Sequence, residues 1–379
     1  MKPHLLFLSW RDIKHPKAGG AEVFTHEMLK RVSDDYQITH ISPRFEGGHD
    51  VEFLDGVTYI RRGTLATVIP YAFSYYQTHA ATIDLVVDQV NTHQFFTPLY
   101  VPRAKRVLFI HQLTREIWNI NVKQPYAWLG ERTETPRLRL YRNDLALTVS
   151  KSTADDLIDI GFTPERVTIL PEGLDFVPWP KEQWQTKEAN PTFLYVGRMS
   201  AYKGINDAIK AFVTLKQEFP AARFWVIGKK DDAYIENELN PLVPEEMRQD
   251  ITYFGFVSAE EKLERMSRAT ALLFPSKREG WGLTVSEAAA VGTPTIVYDA
   301  PGLRDAVQHG LAGYLATAQT PGALAIEMRS CIQDPAQYEA IQFAAHRFAK
   351  TLHWDNTGHR FREWLDTVLV PSQFKEEYE

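Results

Sequence analysis

The chain has 379 residues, 44% of them hydrophobic and 24% charged, with a net charge of −6. That length suggests two domains of ordinary size, the composition is that of a globular protein, and the acidic balance argues against general nucleic-acid binding. No apolar run approaches the roughly 20 residues of a membrane span, and the single Cys331 leaves no internal disulfide and fits a reducing compartment.

Taken in chain order, short strand-like runs alternate with longer stretches at helical spacing. The run Leu5-Leu6-Phe7-Leu8, with charge returning at Arg11, reads as a buried first strand over 4–9 rather than a signal peptide. Ala21, Phe24, Met28, Leu29 and Val32 recur near helical spacing, which predicts a helix over 20–34. Further strands are expected at 36–42, 57–62, 83–87, 106–111 and 145–149, with His111 ending the fourth of these and Ser150, Lys151 and Ser152 opening a helix after the last. Pro171, Pro178, Pro180 and Pro191 punctuate a stretch without clear periodicity, a candidate linker. Strands are then expected at 192–197, 222–228, 251–254, 270–274 and 295–298. Helices are expected to begin near Gly204, Ser258, Ser286 and Pro301, with Ser258-Ala259-Glu260-Glu261 fitting a capping box. Cys331 falls in a C-terminal helix and is assigned to packing. The fold class is therefore α/β, with two Rossmann-like doubly wound domains facing a central cleft, and with ligands at the carboxyl ends of the strands.

The most informative segment is Glu279-Gly280-Trp281-Gly282-Leu283-Thr284-Val285-Ser286-Glu287. It places two carboxylates around a glycine-rich turn that leads into a helix. Glycines let backbone N–H groups approach a ligand, and a helix N-terminus favours an anion. Carboxylates beside such a site suit a ligand that carries hydroxyls as well as phosphates. Arg198 and Lys203 follow the expected strand at 192–197 and are cations placed to meet phosphate. The sequence contains neither an Asp-x-Asp pair nor a His-Glu-x-x-His motif, so no metal is expected at the site and no metal ligand is assigned. The absence of a Gly-x-Gly-x-x-Gly fingerprint argues against a nicotinamide dehydrogenase.

Glu279 and Glu287 at this spacing resemble the signature of the retaining, nucleotide-sugar-dependent glycosyltransferases of family 4. Gly19-Gly20-Ala21-Glu22 resembles that family's N-terminal glycine loop, Gly197-Arg198 with Lys203-Gly204 its phosphate-binding pair, and Gly310 to Leu315 its late glycine turn. The resemblance covers roughly the whole chain. It implies a GT-B fold, with an acceptor-side domain over 1–170, a nucleotide-sugar domain over 171–354, and the segment 355–379 crossing back to the first. It assigns Gly19 and Gly20 to the donor phosphate, Glu287 to the ribose hydroxyls, Glu279 to the neighbourhood of the donor sugar, and His111 to a sugar hydroxyl or to proton movement. The amides of Gly282, Leu283 and Thr284 would cradle the phosphates. At the linker the family commonly has Pro-Asn-Gly, whereas this chain has Pro171-Glu172-Gly173.

What the resemblance implies is transfer of a hexose-type sugar, with retention, from a nucleotide sugar to a hydroxyl acceptor. A UDP-sugar is the first expectation for the donor and a GDP-sugar the second. A GT-B nucleotide-sugar epimerase and a non-catalytic nucleotide-sugar-binding protein are the alternatives. The stretch 103–142 holds nine basic and three acidic residues interleaved with Trp118, Tyr126, Trp128 and Tyr141. That cluster motivates the expectation of a lipid-linked or anionic acceptor, of peripheral membrane contact, and of a cytoplasmic protein at the inner membrane face working in cell-surface polysaccharide or glycolipid assembly.

Overall fold

The computed structural model describes residues 2–369 and resolves into two compact units. The first comprises the chain up to Arg115, Trp128–Gly173 and the chain from His353 on; the second comprises Glu116–Ala127 and Leu174–Leu352.

The first unit is built on an eight-stranded sheet. Its strands are β1 (His4–Leu8), β2 (Gln37–Ser42), β3 (Val51–Leu54), β4 (Val57–Arg61), β5 (Leu85–Val90), β6 (Arg106–Ile110), β7 (Leu145–Thr148) and β8 (Val167–Ile169), in the order β3-β4-β2-β1-β5-β6-β7-β8. All neighbours are parallel except β3 and β4. Strands buried on both faces read as continuous apolar runs, which is why β1 and β6 are legible. Edge strand β3 alternates exposed and half-buried residues instead. It joins β4 through Asp55-Gly56, both at positive φ, the geometry a two-residue hairpin requires. The sequence reading passes over β3, and also over the three-residue β8.

Helix α1 (Gly20–Lys30), shorter than the expected 20–34, follows β1; α2 (Val68–His79) follows β4. After α3 (Ile117–Asn121), which belongs to the second unit, come α4 (Tyr126–Leu138) and α5 (Lys151–Asp159). Ser150 caps α5 by accepting the Thr153 N–H at 3.3 Å.

The second unit carries a six-stranded, wholly parallel sheet. Its strands are β9 (Thr192–Val196), β10 (Arg223–Ile227), β11 (Ile251–Gly255), β12 (Ala271–Phe274), β13 (Thr295–Tyr298) and β14 (Tyr314–Ala316), in the order β11-β10-β9-β12-β13-β14. Its helices are α6 (Ile205–Lys216), α7 (Asp232–Tyr234), α8 (Ala259–Arg268), α9 (Leu283–Ala290), α10 (Leu303–Ala306), α11 (Pro321–Gln333) and α12 (Pro335–Ala349). Buried Cys331 packs in the core of this unit with Met328 and Tyr314. Two expectations are corrected here. Helix α9 begins at Leu283 rather than near Ser286, because Gly282 takes a φ of 104° and turns the chain earlier. At α8 only half of the capping box forms: Ser258 accepts the Glu261 N–H at 3.0 Å, but the Glu261 carboxylate turns to Arg265.

The last helix, α13 (Trp354–Leu369), belongs to the first unit. Phe361 meets Phe7 edge-on, Tyr36 donates to Asp366 at 3.0 Å, and Thr357 donates to the Pro171 carbonyl at 2.6 Å. Trp354 lies so close to Gly173 that a Cβ there would meet the indole at 2.4 Å, which accounts for the glycine. Residues 370–379 of the predicted crossing segment lie outside the described residues.

Candidate functional site

In the second unit the parallel order β9-β12-β13 brings three loops to one carboxyl edge. They are the loop after β9, which carries Arg198 and Lys203; the loop after β12, which carries Glu279; and the turn after β13. Gly204 ends the first loop at a φ of 76°, where a Cβ would meet the Pro275 carbonyl oxygen at 2.0 Å. This close approach locks the first loop against the second. The Lys277 N–H donates to the Tyr202 carbonyl at 2.9 Å, and the Glu279 N–H to the Pro301 carbonyl at 3.1 Å.

Lys203 and Glu279 are thereby joined: Nζ donates to Oε1 at 2.5 Å, and both side chains are mostly shielded. Burial opposes the charge on Lys203, but the Glu279 carboxylate, with Tyr202 adding to it, holds the ammonium above its ordinary value. The Lys203 ammonium also lies 5.1 Å and 5.7 Å from the Tyr202 and Phe274 rings. Arg198 sits nearby, its Nη2 donating to the Tyr202 hydroxyl at 3.1 Å and its carbonyl accepting from Tyr195 at 2.8 Å. Lys277 and Arg278, the local partners one would expect for Glu279, turn elsewhere: Lys277 pairs with Asp207 at 2.8 Å and Arg278 with Glu116 at 2.9 Å.

Gly282 caps α9, so the amides of Gly282, Leu283 and Thr284 stand at a helix N-terminus, where the first N–H groups have no partner within the helix. Glu287 lies one turn further on. Its Oε2 accepts from Lys262 Nζ of α8 at 2.7 Å. Lys262 is a site residue that sequence reasoning misses. It is a lysine on a helix rich in charge, and only the fold sets it beside Glu287.

The remaining predicted residues lie in the first unit. Gly19 caps α1, and Glu22 Oε2 accepts the Gly19 N–H at 2.7 Å. The glycine loop thus enters its helix with one amide already held by a carboxylate that burial raises above its usual range. His111 follows β6. It is buried, its Nε2 has no hydrogen-bond partner, and burial lowers its pKa to about 3, so the ring is neutral. The rings of Phe109 and Phe24 pack around it at 4.6 Å and 5.2 Å. Thr153 donates to its carbonyl at 3.0 Å. A neutral imidazole with an unused nitrogen suits a hydrogen bond to a hydroxyl better than storage of a proton. Glu172, where the family commonly has Asn, is likewise buried with Oε2 unpartnered, and burial pushes its carboxyl well above the usual range.

The basic cluster at 103–142 does not form one open face. Lys105 donates to the Ile83 carbonyl at 2.7 Å, Arg106 grips Asp144 with two hydrogen bonds, and Arg139 donates to the Ile160 carbonyl at 3.2 Å. What stays outside includes Trp128 and Leu129 of α4, with the Arg132 guanidinium 5.8 Å from the Trp128 ring. Among the described residues, no group of three or more His, Cys, Asp or Glu side chains is placed to hold a metal ion, and no helix is long and apolar enough to cross a membrane.

Two family models match the chain: glycosyltransferase family 4 over residues 18–176, and glycosyl transferases group 1 over residues 180–348. The chain belongs to glycosyltransferase family 4, and its fold is the GT-B fold. It is 30% identical over 221 residues to a glycogen synthase of Mycobacterium tuberculosis, an alignment covering 57% of this chain and 52% of that protein. The chain thus spans about half the length of that curated relative. Among solved structures, a sucrose-phosphate synthase from Thermosynechococcus elongatus superimposes with a TM-score of 0.78 at 18% identity, over 97% of this chain and all of that one. Anabaena HepE, in complex with UDP-glucose, superimposes with a TM-score of 0.68 at 18% identity, over 96% of this chain and 99% of that one.

Proposed function

We propose that the chain transfers a hexose from a nucleoside diphosphate sugar, with UDP as the first choice of carrier and GDP as the second, to a hydroxyl acceptor with retention of the anomeric configuration. The observation that carries this reading is the carboxyl edge of the second unit. There Arg198, the Lys203–Glu279 pair and the N-terminus of α9 converge. Family membership and the UDP-glucose bound to HepE support it.

In this reading Arg198, Lys203 and the amides of Gly282, Leu283 and Thr284 meet the diphosphate, and Glu287 accepts the ribose hydroxyls. When the C1–O bond to the diphosphate breaks, the departing oxygen gains negative charge. Two fixed cations and a helix N-terminus stabilise that charge more than they stabilise the ground state. The acceptor oxygen forms its bond to C1 on the same face, and its proton passes to the departing phosphate oxygen. No protein nucleophile is assigned. Glu279 has two calls on it, Lys203 and the donor sugar. Gly19 and Gly20 are assigned to phosphate and His111 to a sugar hydroxyl, as the family resemblance implies.

Because Arg198 and Lys203 supply the positive charge, we propose that no metal is required. The test is UDP-glucose hydrolysis without acceptor, assayed with and without EDTA. Slow hydrolysis that survives the chelator is expected. Its complete loss, restored by magnesium or manganese, would refute the metal-free assignment. We further place the protein in the cytoplasm at the inner membrane face, in polysaccharide or glycolipid assembly. Exposed Trp128 and Leu129 beside Arg132 support membrane contact. Equal sedimentation with neutral and anionic vesicles would remove that location.

A further inference from the structure

The proline-punctuated stretch that the sequence marks as a linker belongs, from Leu174 on, to the second unit, and its side chains fasten it there. Trp184 lies against Gly292, where a Cβ would meet the indole at 2.3 Å, and its Nε1 donates to the Trp179 carbonyl at 3.1 Å. Glu188 accepts from Arg268, the last residue of α8, at 2.8 Å. Between these two anchors stands Lys187.

Lys187 is half-buried, and its Nζ donates to three oxygens: the Ser267 carbonyl at 2.9 Å, the Gly292 carbonyl at 3.1 Å and Thr293 Oγ1 at 2.7 Å. An ammonium has three N–H groups, so the set is complete. None of the three acceptors is a carboxylate, and burial lowers the lysine to about 7. What favours the charge is where the oxygens come from. Ser267 lies in the last turn of α8, and Gly292 stands just beyond α9 and its capping residue Val291. Carbonyls at helix C-termini lack intrahelical partners and carry the negative end of the helix dipole. One cation therefore serves the C-terminal ends of two helices.

The two helices are also tied to each other at this point. Ser267 Oγ donates to the Val291 carbonyl at 2.9 Å, and Thr293 Oγ1 donates to the Met266 carbonyl at 2.6 Å. Ser267 and Thr293 are buried, and Ser267 Oγ accepts the Gln185 N–H of the linker at 2.9 Å. A second polar link between α8 and α9 is the one from Lys262 to Glu287, at 2.7 Å. Lys262 precedes Ser267 by five positions, and Glu287 precedes Gly292 by five. The two links are thus roughly 7 Å apart along each helix, little more than one turn. Any slide of α8 along α9 strains both together.

We propose that Lys187 is a positioning residue for the nucleotide: by fixing the C-terminal ends of α8 and α9 it keeps Lys262 against Glu287, and so sets the Glu287 carboxylate for the ribose hydroxyls. The inference rests on the ribose role proposed above for Glu287. Lys187 acts through the helix pair and not by contact with the ligand. Its removal should therefore be felt at the ribose and not at the base or the diphosphate.

The test is calorimetry on the whole chain with UDP and 2′-deoxy-UDP. The deoxy nucleotide keeps the base and the diphosphate and lacks one ribose hydroxyl, so the ratio of the two affinities reads the ribose contact. Wild type should prefer UDP by about tenfold, the loss expected for a hydrogen bond to a charged group, and Glu287→Ala should abolish the preference. Lys187→Met should cut it by about threefold, and Lys187→Arg, which keeps a cation with N–H donors, should retain more of it than Lys187→Met does. In a Glu287→Ala background, Lys187→Met should change the ratio no further. General loss of folding weakens both nucleotides together and leaves the ratio alone. If Lys187→Met does not fold, Thr293→Val removes one acceptor of the same link, and a fall in the ratio is again expected. A wild-type ratio in the folded Lys187 or Thr293 variant, where Glu287→Ala lowers it, overturns this inference and spares the ribose assignment. A ratio untouched by Glu287→Ala removes the ribose assignment, and this inference with it.

Discussion

The two sheets present their candidate residues in opposite electrostatic conditions. At the carboxyl edge of the second unit the charges are already matched, Lys203 with Glu279, Lys262 with Glu287 and Lys277 with Asp207. At the carboxyl edge of the first unit, His111 is neutral and its Nε2 is unpartnered, and glycines stand at the helix entry. The second unit holds its charge in half-buried pairs that a ligand must share or displace. Around His111 and the Gly19–Gly20 entry, the first offers shape and single hydrogen bonds. Substitutions in the second unit should therefore act through charge and be large, and those in the first through packing and be smaller.

The largest effect is expected for Arg198→Ala and Lys203→Met. Losing one donor that stabilises developing charge costs roughly 2.7–4 kcal/mol at the transition state, about 10²–10³ in turnover. Lys203→Met also strands the Glu279 carboxylate, which should destabilise the second unit by about 1–3 kcal/mol. Rates from steady-state kinetics and unfolding in urea check the two parts. Near-normal turnover in both variants would break the comparison on its stronger side.

Next in size is the contrast between the two glutamates. Glu287→Ala should weaken nucleotide binding with little change in turnover of the bound donor, because a ribose contact is made before and during reaction. Glu279→Ala should lower turnover more than affinity. Lys262→Met sharpens the same point. It should shift nucleotide affinity less than Glu287→Ala does, since Lys262 only orients the carboxylate. A larger loss for Lys262→Met would show that the lysine itself touches the ligand.

The smallest effect concerns His111. Its folded pKa of about 3 lies below the ordinary 6.5, so between those values the unfolded chain binds more protons than the folded one. Its stabilising contribution is complete above about pH 6.5 and is lost progressively as pH falls toward 3. His40, lowered to about 4 by burial, acts in the same direction. Urea unfolding at pH 7 and pH 5 should show wild type losing up to about 1.4 kcal/mol per pH unit for each such histidine, and His111→Gln losing less. Identical pH dependence in the two proteins would mean that the ring is not buried neutral.

The sequence showed most strands of the two sheets because burial on two faces writes an unbroken apolar run, as in β1, β6 and β9. Strand β3 escaped because an edge strand needs apolar residues on one face only, and β14 because three residues inside a glycine turn carry too little pattern. The site was legible where its chemistry is local: Arg198 and Lys203 after a strand, and Glu279 before a glycine turn. What local pattern could not supply was partnership. Lys277 and Arg278 stand next to Glu279 in sequence, yet its carboxylate reaches Lys203, 76 positions away. Lys262 carries no mark at all until α8 and α9 are packed together.

The central claim is that the carboxyl edge of the second unit binds a nucleoside diphosphate through its own cations and Glu287. Calorimetry with UDP in the presence of EDTA tests it most directly. Saturable one-to-one binding to the wild-type chain is predicted, at least tenfold weaker in both Arg198→Ala and Glu287→Ala. If GDP replaces UDP in that pattern, the carrier changes but the site stands. Binding of neither nucleotide, or equal affinity in wild type and both variants, would contradict the account.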